Sequence, residues 1–374
     1  MKCQKSQVLA LSHDGSVLVT ASDERTSVVL WGLEQQDVIL RFDAEDAMCC
    51  RFAVTDSWLV VRTINGLVFV SLGSPTSARG GSVRHKIKHS TSAVAISRDG
   101  ATVAAAEAYA DIIWLYDTHT GKPRSTHMSA SSYPIQSLEF SPHSDLLLIK
   151  RTVYNSAIPM PECTSATLVD GANARHLRHL QGHVKEITIC LFGPDCVCTS
   201  DGVTIKVWTT NGTIVHTLQP QRQADTIVSA ALSANQTTVW AAVCNLPDPT
   251  VHIITWCLRT GTMLESFGLP SGLLDSIQLM GNVRLVSDSA ILLGSDGVAV
   301  WRAGTVSRYA QCRPSDCFFT QDGTVVVAAR SFGINVHHPQ RISGAVALAV
   351  LHARRRRSVV LPPPEVWGRL CRVI

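Results

Sequence analysis

One short phrase comes round eight times in this chain of 374 residues: an apolar strand end, a Ser, Thr or small residue, a polar turn, then a second apolar run. Its clearest copies are Leu11-Ser12-His13-Asp14-Gly15, Ile96-Ser97-Arg98-Asp99-Gly100, Phe140-Ser141-Pro142-His143-Ser144, Leu232-Ser233-Ala234-Asn235 and Phe319-Thr320-Gln321-Asp322-Gly323. Weaker copies start at Phe52, Phe192 and Leu279, so successive anchors lie 41, 44, 44, 52, 40, 47 and 40 residues apart. A period of that size marks a repeat architecture, in which one supersecondary unit cannot bury its own faces and must stack on its neighbours.

Each anchor is followed by a run such as Val17 to Ala21, Val103 to Ala106 or Val325 to Ala329, too short for a helix and rich in β-branched and small residues, which reads as a buried strand. A third strand, often ending in an aromatic, comes next: Ser27 to Trp31, Ile112 to Tyr116, Thr204 to Trp208, His252 to Trp256, Val298 to Trp301. Tight turns at Gly121, Gly212, Gly261 and Gly304 then lead into a fourth. The unit is a four-stranded antiparallel meander, and a closed ring of such units buries the faces that one alone leaves open. The fold class is therefore all-β, a β-propeller of four-stranded blades with eight repeats. The eighth unit is the least complete: after Gly333 to His337 its fourth strand falls to Gly344 to Leu351.

The stretch from Gly182-His183 through Thr199-Ser200-Asp201-Gly202 to Trp208 resembles a WD-repeat unit. In that family a loop His, a strand Ser or Thr, a turn Asp and a strand Trp form a buried hydrogen-bonded relay. The resemblance assigns those roles to His183, Thr199 or Ser200, Asp201 and Trp208, and it covers about residues 7 to 340 unevenly. Asp201 sits a place early, Trp208 is followed by Thr209 where the family has Asp, and Tyr116-Asp117 restores the aromatic-acid pair once. The family commonly has seven blades, so a seven-bladed ring stays open as the alternative. The chain reads as a divergent member whose other blades are held by apolar packing more than by the relay.

Composition agrees, with 45% hydrophobic and 17% charged residues, ample for one large ring. The expected division is a propeller over residues 1–352 and a basic, Pro-rich tail over 353–374. That tail carries a net charge of +5 of the chain's +4, which leaves the ring at −1. A ring so nearly neutral is not expected to grip nucleic acid. Arg354, Arg355, Arg356 and Arg357 fit a nuclear import signal or an anionic-surface contact, but a solvated tail with no such role is the favoured reading. No secretory signal is visible after Met1, and the apolar run Ala345 to Leu351 is far below the roughly 20 residues that span a bilayer. Twelve cysteines at strand positions suit a reducing compartment, so a cytoplasmic location is expected.

Metal and catalytic readings find little support. Cys49 and Cys50 are adjacent in a strand and should face opposite ways, while Cys196 and Cys198 share a face without a second pair at zinc-ribbon spacing. His176 and His179 would also point apart on a strand, and His183 belongs to the relay. No nucleophile elbow, phosphate-binding glycine loop or zinc-protease helix occurs, and Asp14, Asp99 and Asp322 lie in the repeated turn. No cofactor, metal or small-molecule ligand is expected and no catalytic residue is assigned, although a central-channel site built from scattered residues would leave no motif.

Three stretches depart from the repeat: Tyr154 to Cys163, Asn245 to Pro249, and Ser74 to His89. Taken as loops of one face, they would crowd one rim. Tyr154, Ile158, Met160 and Pro161 beside Arg79, Arg84, Lys86 and Lys88 then form an expected docking patch for an extended acidic-hydrophobic peptide. Val359 to Leu370 is distantly similar to the closing part of the box by which some WD-repeat substrate receptors join cullin ubiquitin ligases. Long regulators with a NACHT core also end in WD-repeat arrays of this look, so the sensor propeller of such a protein is another alternative. The reading that results is a non-catalytic scaffold whose partners are other proteins or peptides.

Overall fold

In the computed structural model the serine of the repeated phrase closes the first hairpin of blades 1, 3 and 6. Ser12 Oγ accepts the Val17 N–H at 2.9 Å and donates to Asp14 Oδ1 at 2.7 Å. Ser97 does the same with Thr102 N and Asp99 (2.9 and 2.6 Å), and Ser233 with Thr238 N and Asn235 (3.1 and 2.7 Å). A hydroxyl bridging both limbs of the turn, with an Asp or Asn two residues on, is why the phrase keeps its residue types through the repeats.

The structure describes residues 6–22, 24–33, 37–73, 81–108, 110–128, 135–151, 165–222, 225–233, 235–245 and 251–268, and beyond these the backbone of eight further strands. Blade 1 holds β1 (Ser6–Leu11), β2 (Val17–Ser22), β3 (Ser27–Gly32) and β4 (Asp37–Asp43); blade 2 holds β5 (Ala47–Phe52), β6 (Trp58–Thr63), β7 (Gly66–Ser71) and β8 (Ser82–Ile87). Blade 3 is β9 (Thr91–Ile96), β10 (Thr102–Glu107), β11 (Ile112–Asp117) and β12 (Pro123–Met128); blade 4 is β13 (Ile135–Phe140), β14 (Leu146–Arg151), β15 (Ala166–Asp170) and β16 (His176–Leu180). Blade 5 has β17 (Ile189–Phe192), β18 (Cys196–Ser200), β19 (Ile205–Thr209) and β20 (Ile214–Leu218); blade 6 has β21 (Asp225–Leu232), β22 (Thr238–Asn245), β23 (Val251–Cys257) and β24 (Met263–Gly268). Blade 7 runs through β25 (Val283–Val286), β26 (Ser289–Gly294), β27 (Gly297–Arg302) and β28 (Thr305–Tyr309), and blade 8 through β29 (Cys317–Phe319), β30 (Val325–Ala329), β31 (Gly333–His337) and β32 (Ala349–Leu351). Eight sheets, each paired antiparallel in sequence order, settle the count at eight.

First strands of successive blades lie against one another and form the inner wall, while β1 meets β29 and β30 and so closes the ring. The core lies between blades. Leu30, Val61 and Val70 fill the joint of blades 1 and 2, Val60, Phe69 and Val103 the next, and Leu115, Leu147 and Ile149 that of blades 3 and 4. Val60 and Val61 are neighbours in β6 yet enter different joints, which is why second strands are apolar throughout rather than alternating.

Two features of the outer half repeat. In blades 1 to 6 the fourth strand bulges against the third and skips one residue, respectively Ile39, Arg84, Arg124, Leu177, Val215 and Leu264. In blades 1, 2, 4 and 5 the residue next to the bulge, respectively Leu40, His85, Arg178 and His216, then reaches the following blade. His85 covers Gly121 and its Nε2–H donates to the His119 carbonyl at 2.7 Å; His216 covers Gly261 and donates to the Arg259 carbonyl at 3.1 Å. A Cβ on Gly121 or Gly261 would come within 2.6 Å of that ring, and both glycines also have positive φ (67° and 69°). The turn needs glycine for its backbone and again for the side chain laid across it.

Two expectations are corrected here. Residues Ser82–Ile87 form the outer strand of blade 2 rather than part of a loop between blades. Exposed Arg84 and Lys86 alternate there with half-buried Val83, His85 and Ile87, a period of two that marks an edge strand. β7 therefore leads into β8 within blade 2, and the strand ends joined there lie at the opposite end of an antiparallel meander from the ends that β14 and β15, or β22 and β23, present to each other. The strand ends that flank the three departures do not share one face. The second correction concerns His176 and His179, whose rings lie 4.4 Å apart instead of pointing away from each other. The bulge at Leu177 shifts the parity of β16 by one and brings them together.

Candidate functional site: a buried relay and an outer wall

Blade 5 brings His183, Thr199, Asp201 and Trp208 together. Trp208 Nε1–H donates to Thr199 Oγ1 at 2.7 Å, and Thr199 Oγ1 lies 2.7 Å from His183 Nε2. While accepting from Trp208, the hydroxyl keeps its own proton to donate to Nε2. The imidazole proton then sits on Nδ1, which faces Asp201 Oδ2 at 3.4 Å. Burial raises the Asp201 carboxyl, but His183 and the backbone N–H groups of Thr204, Val203 and Val184 outweigh it and hold the group well below the ordinary carboxylate range. Ser200 stands outside the relay, its Oγ accepting the Gly202 N–H at 3.2 Å. All of these groups are buried within the blade, and His183 Nδ1 meets Asp201 only at ion-pair distance, so the relay clamps the entry to β17 onto the turn between β18 and β19.

Register shows what replaces the relay elsewhere. In blade 1 Trp31 donates to Thr20 at 3.0 Å, with both residues at the positions Trp208 and Thr199 hold in blade 5. In blade 3 the position of Trp208 is Tyr116 and that of Thr199 is Ala105. The tyrosine brings its own hydroxyl, which meets His89 Nδ1 at 2.6 Å, while Glu107 lies 3.6 Å from the other nitrogen of His89 and accepts the Trp114 indole N–H at 3.1 Å. Sequence reasoning missed this variant, because the hydroxyl has moved from the second strand to the third. Blades 2, 4 and 6 have Val61, Ile149 and Ala241 at the position of Thr199, all fully buried.

Tyr154, Ile158, Met160, Pro161 and Arg79 lie outside the described residues. Arg84, Lys86 and Lys88 are exposed on and just after β8, and Lys86 Nζ reaches the Asp43 carbonyl at 2.9 Å. They belong to the outer wall of the ring, not to a rim loop as expected. Farther round that wall the edge strands change character. Ile214, Val215, Met263 and Leu264 stand open to solvent on β20 and β24. Their strand periodicity was legible, but nothing in a single sequence marked these two strands as edges.

Along the axis, Glu139 of β13 is hemmed in by protein yet reachable by water, and among the described residues it has no hydrogen-bond partner. Burial pushes its carboxyl up to about 7, tempered by the charges of Arg51 and Lys150. The neighbouring Cys190 thiol is pushed up to about 12 by burial and by Glu139, which leaves it protonated and a poor nucleophile. A cavity of about 250 Å³ between blades 1 and 2 is bordered by Asp14 and Asp56. Asp56 is already engaged there, accepting from the backbone N–H groups of His13 and Asp14 at 3.0 Å each. Among the described residues no three His, Cys, Asp or Glu side chains gather as metal ligands, and no helix is long and apolar enough to cross a membrane.

Eight four-stranded blades in a ring define a β-propeller. The sequence matches no protein-family model and no curated protein. Among solved structures the chain is similar to the computationally designed Ika8 protein, at 17% identity and a TM-score of 0.61, covering 87% of this chain and 94% of that one. It is also similar to the C-terminal WD40 domain of Sif2, at 14% identity and a TM-score of 0.55, covering 82% of this chain and 81% of that one. The fold is that of a WD40 propeller.

Proposed function

We propose that the protein is a non-catalytic interaction scaffold of the cytoplasm, a stiff ring that presents side chains and loops to other proteins or peptides. The observation that carries this reading is the division of labour among its polar groups. Relay and turn residues are spent on holding blades together, whereas apolar side chains that could have been buried stand on the outside. Affinity in such a device comes from a few well-placed exposed side chains rather than from reactive groups. The connection at 152–164, with Tyr154, Ile158, Met160 and Pro161, is a candidate contact region of the same kind.

The test is affinity mass spectrometry from cells with the intact chain, compared with a chain in which Ile158 and Met160 are both changed to Ser. Capture of a reproducible set of partners, with some lost on substitution and an unchanged melting temperature, is the expected result. A chain that captures nothing specific, or that turns over a substrate by way of Glu139, removes the scaffold reading.

A further inference from the structure

Four of the exposed apolar side chains of the outer wall gather on blades 5 and 6, while Val38 stands apart on β4 of blade 1. Ile214 and Val215 open β20 and Met263 and Leu264 open β24, with 43%, 48%, 37% and 52% of their surfaces exposed. Contacts between blades make the strip continuous. Arg178 of blade 4 lies across Gly212, where a Cβ would approach its Cγ to 2.8 Å, and Ile214 follows two residues later. His216 lies across Gly261 in the same way, and Met263 follows two residues after that. The strip therefore runs Arg178, Ile214 and Val215, His216, Met263 and Leu264, with exposed Arg175 beside its blade-4 end. The corresponding bulge positions of blades 2 and 3 hold Arg84 and Arg124, the charged guards that edge strands usually carry. Blades 5 and 6 have Val215 and Leu264 there.

We propose that this wall of blades 4 to 6 docks an extended segment of another protein, one with carboxylates at one end and large apolar side chains along the rest. The inference rests on the scaffold reading and names the surface and the chemistry of the partner. Charge complementarity picks the occupant: two exposed arginines stand at one end of the apolar strip, and a second copy of this chain would offer only Glu265 from its own strip against them. Bulges at Val215 and Leu264 interrupt the free backbone edges, so recognition runs through side chains and not through an added strand.

The probe is a fluorescein-labelled peptide with a Glu-rich stretch followed by alternating Leu and Thr, titrated with the full chain and followed by anisotropy. Two double variants are compared with the native chain: Val215→Ser with Leu264→Ser, and Arg175→Glu with Arg178→Glu. Each is expected to weaken binding about tenfold or more, which corresponds to ~1.4 kcal/mol, with the melting temperature unchanged. A variant with Arg84→Ala and Lys86→Ala should bind as the native chain does, and a peptide with Lys in place of Glu should bind weakly. Failure of the native chain to bind the probe, or binding by both double variants as tight as that of the native chain, overturns the proposal. So does a native dimer in sedimentation that the Val215→Ser, Leu264→Ser variant turns into monomer, since the strip then belongs to a second copy. If cellular partners are captured equally by native and variant chains, the scaffold stands and this wall is not where it binds.

Discussion

Blade 5 and blade 4 solve the same problem with opposite chemistry. At the position where the second strand faces the last aromatic or apolar residue of the third, blade 5 has Thr199 inside a four-residue polar network, and blade 4 has Ile149 packed against Leu147 and Val169. Both positions are fully buried and both blades have the same four-stranded pairing. The comparison teaches that the fold needs this site filled and satisfied, not polar. A relay contributes direction, because His183, Thr199 and Asp201 meet one another only in one arrangement. Apolar packing contributes stability with looser specification.

The largest effect is expected from the apolar side. Ile149→Ala should cost about 2–5 kcal/mol, since a fully buried side chain leaves a cavity that two packed sheets cannot close. Urea denaturation gives the number. A loss near zero would mean that blade 4 is not held by its core, and the contrast with blade 5 would fail.

Next comes Asp201. Its replacement by Ala removes the partner of His183 and the acceptor for Val184, Val203 and Thr204, and should cost about 2–4 kcal/mol. The sign of its pH dependence follows from a carboxyl held below its ordinary value. Its stabilisation is complete above the unfolded-state range, near pH 4, and drains away as pH falls through that range toward the depressed folded value. Native and Asp201→Asn chains should therefore differ most at neutral pH and converge in acid. A gap that stays constant down to about pH 2 would show that the carboxylate charge is not what the relay uses.

Thr199→Val sharpens the comparison by giving blade 5 the apolar solution at one position only. The indole N–H of Trp208 and Nε2 of His183 lose their shared partner, at an expected cost of about 1–3 kcal/mol. Thr20→Val in blade 1 strands only Trp31, which is partly open to solvent, and should cost less than 1 kcal/mol or so. Equal costs would mean that His183 adds nothing to the hydroxyl it touches.

Much of this was legible in the chain. The anchors gave the number of blades, because Ser12, Ser97 and Ser233 each need the same turn partners and so keep the same spacing. The relay of blade 5 could be read because all four of its residue types occur in one repeat, even with Asp201 a place early. What escaped depended on register. The bulge at Leu177 turns His176 toward His179, and the one at Arg84 lies in a strand that looked like loop. A single skipped residue reverses the faces of everything beyond it, and no residue type announces it. The exposed strip on blades 5 and 6 escaped for a related reason: Ile214 and Leu264 look like core until the sheet order puts β20 and β24 last in their sheets, with no described strand beside them.

The smallest effect concerns a carboxyl to which neither solution applies. Glu139 has neither the hydrogen bonds of Asp201 nor the apolar character of Ile149, and its carboxyl is pushed up to about 7. For an acid shifted upward the sign is the reverse of that for Asp201. The folded ring binds the proton more tightly than the unfolded chain, so stability declines as pH rises from the ordinary carboxylate range through about 7. Glu139→Gln should leave stability unchanged near pH 4 and raise it slightly at pH 8, by less than about 1 kcal/mol because water along the axis screens the charge. Thermal melts of both chains at the two pH values decide it. A Gln chain less stable than the native one at pH 8 would mean that Arg51 and Lys150 pair with the carboxylate strongly enough to make it a structural group, and the axis would then resemble the relay of blade 5 rather than an exception to it.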